Sequence, residues 1–151
     1  MSAEAWLTDH QRAALTAVLD AVIPPSANGR LPGAGSVGLT EEIERALAAS
    51  SAIVTEGLAA IEARAASRGV AFAALTSQER VDLLNEVAET HPALLPSLIF
   101  HVYTRYYQIP EVLEALGLEP RPPFPKGYEM AENDLRLLDP VRGRTKLFRE
   151  A

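Results

Sequence analysis

No cysteine occurs among the 151 residues. That absence excludes disulfides, thiolate zinc sites, iron–sulfur clusters, attached c-type haem and cysteine nucleophiles. Positive charge is also scarce: 14 Lys and Arg stand against 20 Asp and Glu, for a formal net charge of -6. A general nucleic-acid binder presents a basic face, so no nucleic-acid partner is expected. Histidine is limited to His10, His91 and His101, and no two stand at i, i+4 around an acid. The zinc-protease pattern is therefore missing. No apolar run approaches the roughly 18 residues that span a bilayer, so no direct membrane insertion is expected. The opening Met1-Ser-Ala-Glu-Ala-Trp-Leu-Thr8 has neither a basic n-region nor an apolar h-region. The expected location is the cytoplasm, or the periplasm if the chain is exported with a partner.

What is present is a series of helix signals. Thr8 and Gln11 have capping-box spacing, and Leu7 is placed to staple them. Leu15, Val18, Leu19 and Val22 follow at i, i+3, i+4, i+7, one apolar stripe. Pro24-Pro25 ends that helix. Residues 26–39 hold Gly29, Gly33, Gly35, Gly38 and Pro32 and read as a flexible connector. The letters from Gly33 to Gly38 match G-x-G-x-x-G, but a dinucleotide fingerprint needs a strand before it, and here a helix precedes. A second helical region opens at Thr40, read as a cap, with Glu41, Glu42 and Glu44 as a solvated first turn. Ile43, Ala46, Leu47, Ile53, Val54, Leu58, Ile61 and Ala65 continue its apolar stripe. A break or bend is expected at Ser50-Ser51 and a stop at Gly69.

Thr76 and Glu79 cap a third helix whose inward residues are read as Val81, Leu84, Val87 and Ala88. A fourth spans residues 92–108, with Leu94, Leu95, Leu98, Ile99, Val102 and Tyr106 as its apolar set. Pro96 falls in its first turns, where a missing N–H is tolerated. Pro110 starts a short fifth helix that Gly117 ends. Residues 132–138 suit one or two further turns. No useful period-two segment appears. The fold class is therefore all-α, a single domain of four to five helices with a Pro-rich extended C-terminal arm. The domain covers residues 1–151, with a helical core at 1–118 and the arm at 119–151.

The chemistry is thinner. No serine sits in a G-x-S-x-G elbow, and no phosphate loop exists. His10 reads as exposed, His91 as a helix-junction residue and His101 as a partly buried structural histidine. The alternative for His101 is a general base beside Tyr103 or Tyr107. No catalytic, cofactor-binding or metal residue is assigned. Tyr103, Tyr106 and Tyr107 with Phe100 form an aromatic cluster that serves either core or partner. Three tyrosines within five residues cover most faces of a helix, so at least one meets a different neighbour. The strip Pro120-Arg-Pro-Pro-Phe-Pro-Lys-Gly-Tyr128 is stiff and cannot build its own core. It lies either on this chain's helices or on another protein. Arg136, Arg142, Arg144, Lys146 and Arg149 read as a solvated basic tail. The candidate partner surface is Tyr103, Tyr106, Tyr107, Pro122, Pro123, Phe124, Pro125 and Tyr128.

Three stretches together resemble a known family. They are residues 7–25 with the Gly-rich loop and Thr40-Glu-Glu-Ile after it, residues 103–117, and Pro123-Phe-Pro-Lys-Gly-Tyr128 followed by Leu138-Asp-Pro-Val-Arg142. In that order they are similar to the gluconate 2-dehydrogenase subunit 3 family, the small helical subunit of membrane-associated flavin sugar dehydrogenases. The resemblance implies a non-catalytic accessory subunit with no cofactor of its own. FAD and the chemistry would belong to a large flavoprotein subunit of the glucose-methanol-choline type, with a cytochrome subunit as a further partner. The small subunit would act in a chaperone-like way, on folding, stability or export of the large one. Such subunits commonly carry a twin-arginine signal, whereas the first arginine here is Arg12, inside the first helix. The expectation is a cytoplasmic branch, or a signal supplied by a partner. The competing readings are a stand-alone helical enzyme or small-ligand-binding protein using His101, and a homo-oligomeric structural protein.

Overall fold

Thr8 begins the helical body. Its hydroxyl accepts from the Gln11 N–H, and the Gln11 side chain accepts from the Thr8 N–H, which starts α1 (Asp9–Val22). The computed structural model describes residues 6–122, 126–127, 129 and 132–144. Among them it contains α2 (Thr40–Ala46), α3 (Ser51–Ser67), α4 (Ser77–Thr90), α5 (Leu94–Tyr106), α6 (Pro110–Ala115) and α7 (Asp139–Arg142), and no strand. Short 3-10 turns stand at Ala48–Ser50, Phe72–Ala74 and Leu135–Leu138. The all-α class read from the sequence is what is found. The second helical region resolves into two helices, because the chain kinks through the 3-10 turn ahead of Ser51.

Residues 1–120 form one compact unit and residues 121–151 another. In the first, α1 is the central helix: it touches α2, α3, α4 and α5. Leu15, Val18 and Leu19 are fully buried there, with Ile43, Val54, Leu58, Ile61, Leu83, Leu94, Leu98 and Val102 around them. Burying side chains of this kind stabilises by about 1.5–3 kcal/mol each, the main force holding these helices together. Gly57 marks a close approach between α3 and α5: a Cβ there would lie 2.5 Å from a Leu94 methyl. α3 ends in a Schellman turn, with Val70 N–H donating to Ala65 O and Gly69 N–H to Ala66 O. Gly69 has φ +77, which glycine adopts without the Cβ penalty. Gly117 ends α6 in the same way.

Four local expectations are corrected. Thr40 is not a cap but the first residue of α2, after Leu39. Its hydroxyl lies 2.8 Å from that of Thr16, whose own proton goes to Arg12 O, so Thr40 is the donor. The Gly-rich loop is not a loose connector. Ala34 is buried and donates its N–H to Ile23 O, and Gly35 N–H donates to Asp20 Oδ1 at 2.8 Å. A carboxylate thus occupies the Gly35 N–H that a phosphate would need, and a Cβ on Gly33 or Gly35 would collide with Asp20. In α4 the buried residues are Leu83, Leu84 and Val87, while Val81 is exposed. The true stripe lies partway round the helix from the predicted one. Ile53 and Ile99 are likewise at the surface, since α3 and α5 each bury a narrower face than their composition suggests.

The fourth correction concerns Glu44. It was read with Glu41 and Glu42 as solvated, yet it is only 4% exposed. Oε1 accepts from the N–H groups of Trp6 (2.9 Å) and Leu7 (2.8 Å), and Oε2 from Arg12 Nε at 2.8 Å. The Trp6 indole N–H donates to the Glu44 carbonyl at 3.0 Å. A buried charge survives only when paired and hydrogen-bonded. This one is both, and it fastens the segment before α1 to α2.

In the second unit, Arg121 donates to Pro122 O (3.1 Å) and Gly127 O (2.7 Å), so its guanidinium joins those two carbonyls. Asp134 accepts from Arg136 N–H and opens the 3-10 turn that runs into α7. Arg136 pairs with Asp134 at 2.8 Å and Arg142 with Asp139 at 3.1 Å. These two arginines are therefore exposed but not unpaired.

Candidate partner interface

Helix α5 has two faces of different character. Leu94, Leu98, Val102 and Tyr106 recur at i, i+4, i+8 and i+12, and all four are buried. That spacing leaves Ile99, Phe100, Tyr103 and Tyr107 on the outside. Phe100 is 67% exposed and Tyr103 and Tyr107 each 45%. The Tyr103 and Tyr107 rings pack at 6.0 Å between centroids, and Phe100 stands edge-on to His101 at 5.2 Å. The result is an aromatic row on a helix whose opposite side is locked into the core.

The structure separates the three tyrosines. Tyr106 is 1% exposed, so it belongs to the core and not to the outer face. Its hydroxyl donates to Pro32 O at 2.6 Å, tying α5 to the Gly-rich loop. Burial, with Tyr107 and Glu111 nearby, pushes that hydroxyl's pKa up. The group remains a neutral donor, as a phenol inside a core must. Tyr107 packs edge-on against the Tyr106 ring at 5.2 Å. The buried tyrosine thus braces an exposed one.

Two residues that sequence reasoning did not assign to the site belong on this face. From sequence, Phe100 counts only with the aromatic cluster and Ile99 with the apolar set of the helix. The signal that finds them is phase. Once Leu94, Leu98 and Val102 are taken as the inward row, residues 99, 100, 103 and 107 fall outside it. In the second unit, Pro122 is exposed. Pro123, Phe124, Pro125 and Tyr128 lie outside the described residues. Leu135, Leu137, Leu138 and Val141 are exposed on the short helical segment that follows.

Polar groups beside the α5 row hold its orientation. Arg105 Nε lies 3.6 Å from Glu42 Oε1, an ion pair joining α5 to α2. Its guanidinium donates to His101 Nδ1 at 3.2 Å. His101 Nδ1 is therefore an engaged acceptor, which removes that nitrogen from general-base work. Glu42 and Glu44 point to different arginines and do not converge. Among the described residues no group of three or more His, Asp or Glu could hold a metal ion.

Rigid aromatic side chains on a packed helix can bury area with little loss of conformational freedom. The model of the family described as gluconate 2-dehydrogenase subunit 3 matches residues 9–121, which include all of α1 to α6. No curated protein and no solved structure matches the chain.

Proposed function

The chain belongs to the gluconate 2-dehydrogenase subunit 3 family, and from this premise we propose that it is a non-catalytic accessory subunit that binds and stabilises the large flavoprotein of a sugar or polyol dehydrogenase complex. The flavoprotein is of the glucose-methanol-choline type and carries the FAD and the chemistry. The observation that carries the reading is the outer row of α5. Ile99, Phe100, Tyr103 and Tyr107 form an exposed apolar strip on one side of a helix otherwise committed to the core. Contiguous exposed apolar surface on a soluble chain marks an interaction site more often than it marks nothing. The Pro-rich strip adds a second contact region, because a stiff segment loses little entropy when it docks.

The accessory subunit acts by mass action. Whatever binds only the folded flavoprotein raises its stability with the logarithm of its concentration over its dissociation constant. The test is the affinity of the purified pair. Phe100→Ser with Tyr103→Ser weakens the complex by about a hundredfold, since each aromatic anchor contributes on the order of tenfold or more. The same variant keeps its helical circular-dichroism signal, because neither ring is in the core. Unchanged affinity for the flavoprotein would remove α5 from the interface.

A further inference from the structure

A cavity of about 370 Å³ lies on the first unit, between the start of α1, the end of α3 and the 3-10 turn at Phe72–Ala74. It lies on elements other than α5 and takes no part in the function proposed above. Its wall is mostly alanine (Ala13, Ala66 and Ala73 among them), with Phe72 behind them. At its edge His10 Nε2 meets Glu62 Oε1 at 2.8 Å. The volume falls in the range of about 300–1,000 Å³ typical of small-molecule sites, which pair an apolar wall with a few polar groups.

Among the described residues no basic side chain lines it besides His10, which pairs with Glu62. Glu62 is a carboxylate whose second oxygen has no partner among the described residues. The cations nearest along α3 are turned to α4: Arg64 donates to Thr90 Oγ1 at 3.0 Å, and Arg68 to Glu86 Oε1 at 2.7 Å. The cavity also adjoins the carbonyl end of α3, where the helix dipole favours positive charge. Residues 1–120 hold 7 basic and 15 acidic side chains, a net of -8. We propose that this cavity binds a small organic cation, with the apolar body against the alanine wall and the ammonium group on the Glu62 carboxylate.

The test uses the full chain and three probes of one size: hexylamine, hexanoate and hexanol, followed by the shifts of the His10 ring protons in NMR titrations. Hexylamine binds, and the other two bind at least about tenfold more weakly. Glu62→Gln removes the preference for the amine, and Ala13→Phe, which fills the cavity from an exposed position, abolishes binding. Circular dichroism checks that both variants remain helical. Equal binding of all three probes would reduce the site to a plain apolar depression and overturn the proposal. So would amine binding that survives both variants, or no binding of the amine by the wild-type chain.

Discussion

Glu44 shows how one side chain can hold a terminus. Burial alone would push its carboxyl up, but the Arg12 guanidinium and the N–H groups of Leu7 and Trp6 outweigh it, and the net displacement is downward. A carboxyl whose pKa is lower in the folded chain contributes stability above its unfolded value of about 4.3. That contribution is lost as pH falls through the lower folded value. Glu44→Gln is therefore expected to destabilise most at neutral pH and least in acid, so its urea midpoint falls less steeply on acidification than that of the wild type. The loss falls short of the roughly 3–5 kcal/mol for breaking a fully buried pair, because Arg12 is partly exposed and also has Asp9 at 2.8 Å. The chain's single tryptophan, Trp6, reports the event directly: its emission moves to the red when the Glu44 contacts are lost. The sequence did not reveal this pair. Three glutamates in a first helical turn look alike in one dimension, and only the fold turns Glu44 towards Arg12, 32 residues away.

At the scale of elements, local signals carried well and phase carried less well. Both capping boxes, Thr8 with Gln11 and Thr76 with Glu79, are present with the bonds in both directions. They are legible because the two partners lie three residues apart. Thr76→Ala is expected to cost about 1 kcal/mol by loss of the cap, read as a lower urea midpoint. Which face of a helix goes inward is a tertiary fact. Ile53, Val81 and Ile99 are apolar and yet exposed. Nor does the composition show that α3 and α5 meet at Gly57. Gly57→Ala gains helix propensity, but its Cβ must displace the fully buried Leu94. Such overpacking costs about 1–3 kcal/mol, so thermal melting is expected to show a net loss. An increase in melting temperature would mean that Leu94 has room to move.

At the scale of the whole molecule, the order of motifs told more than any single one. The all-α class follows from the 3.6-residue periodicity and the missing alternation. The family model matches residues 9–121, which take in most of the first of the three resembling stretches and all of the second, while the third, from Pro123 on, lies beyond the match. Of the predicted surface, Tyr103 and Tyr107 are on an exposed face and Tyr106 is in the core. The row Leu94, Leu98, Val102 separates them by spacing, since Tyr106 continues it and Tyr103 and Tyr107 do not; only the Pro32 carbonyl that Tyr106 reaches is invisible in the sequence. For the arm, replacing Phe124 and Tyr128 by alanine is expected to weaken the complex with the flavoprotein and leave the helical signal unchanged. Unfolding of that double variant would place both rings in the chain's own core.

The accessory-subunit reading is tested most directly by purifying the chain from its native host and recording mass and absorbance of what co-elutes. The account predicts a yellow complex, in which this chain and a large flavoprotein appear at fixed stoichiometry. A colourless chain eluting alone would contradict it.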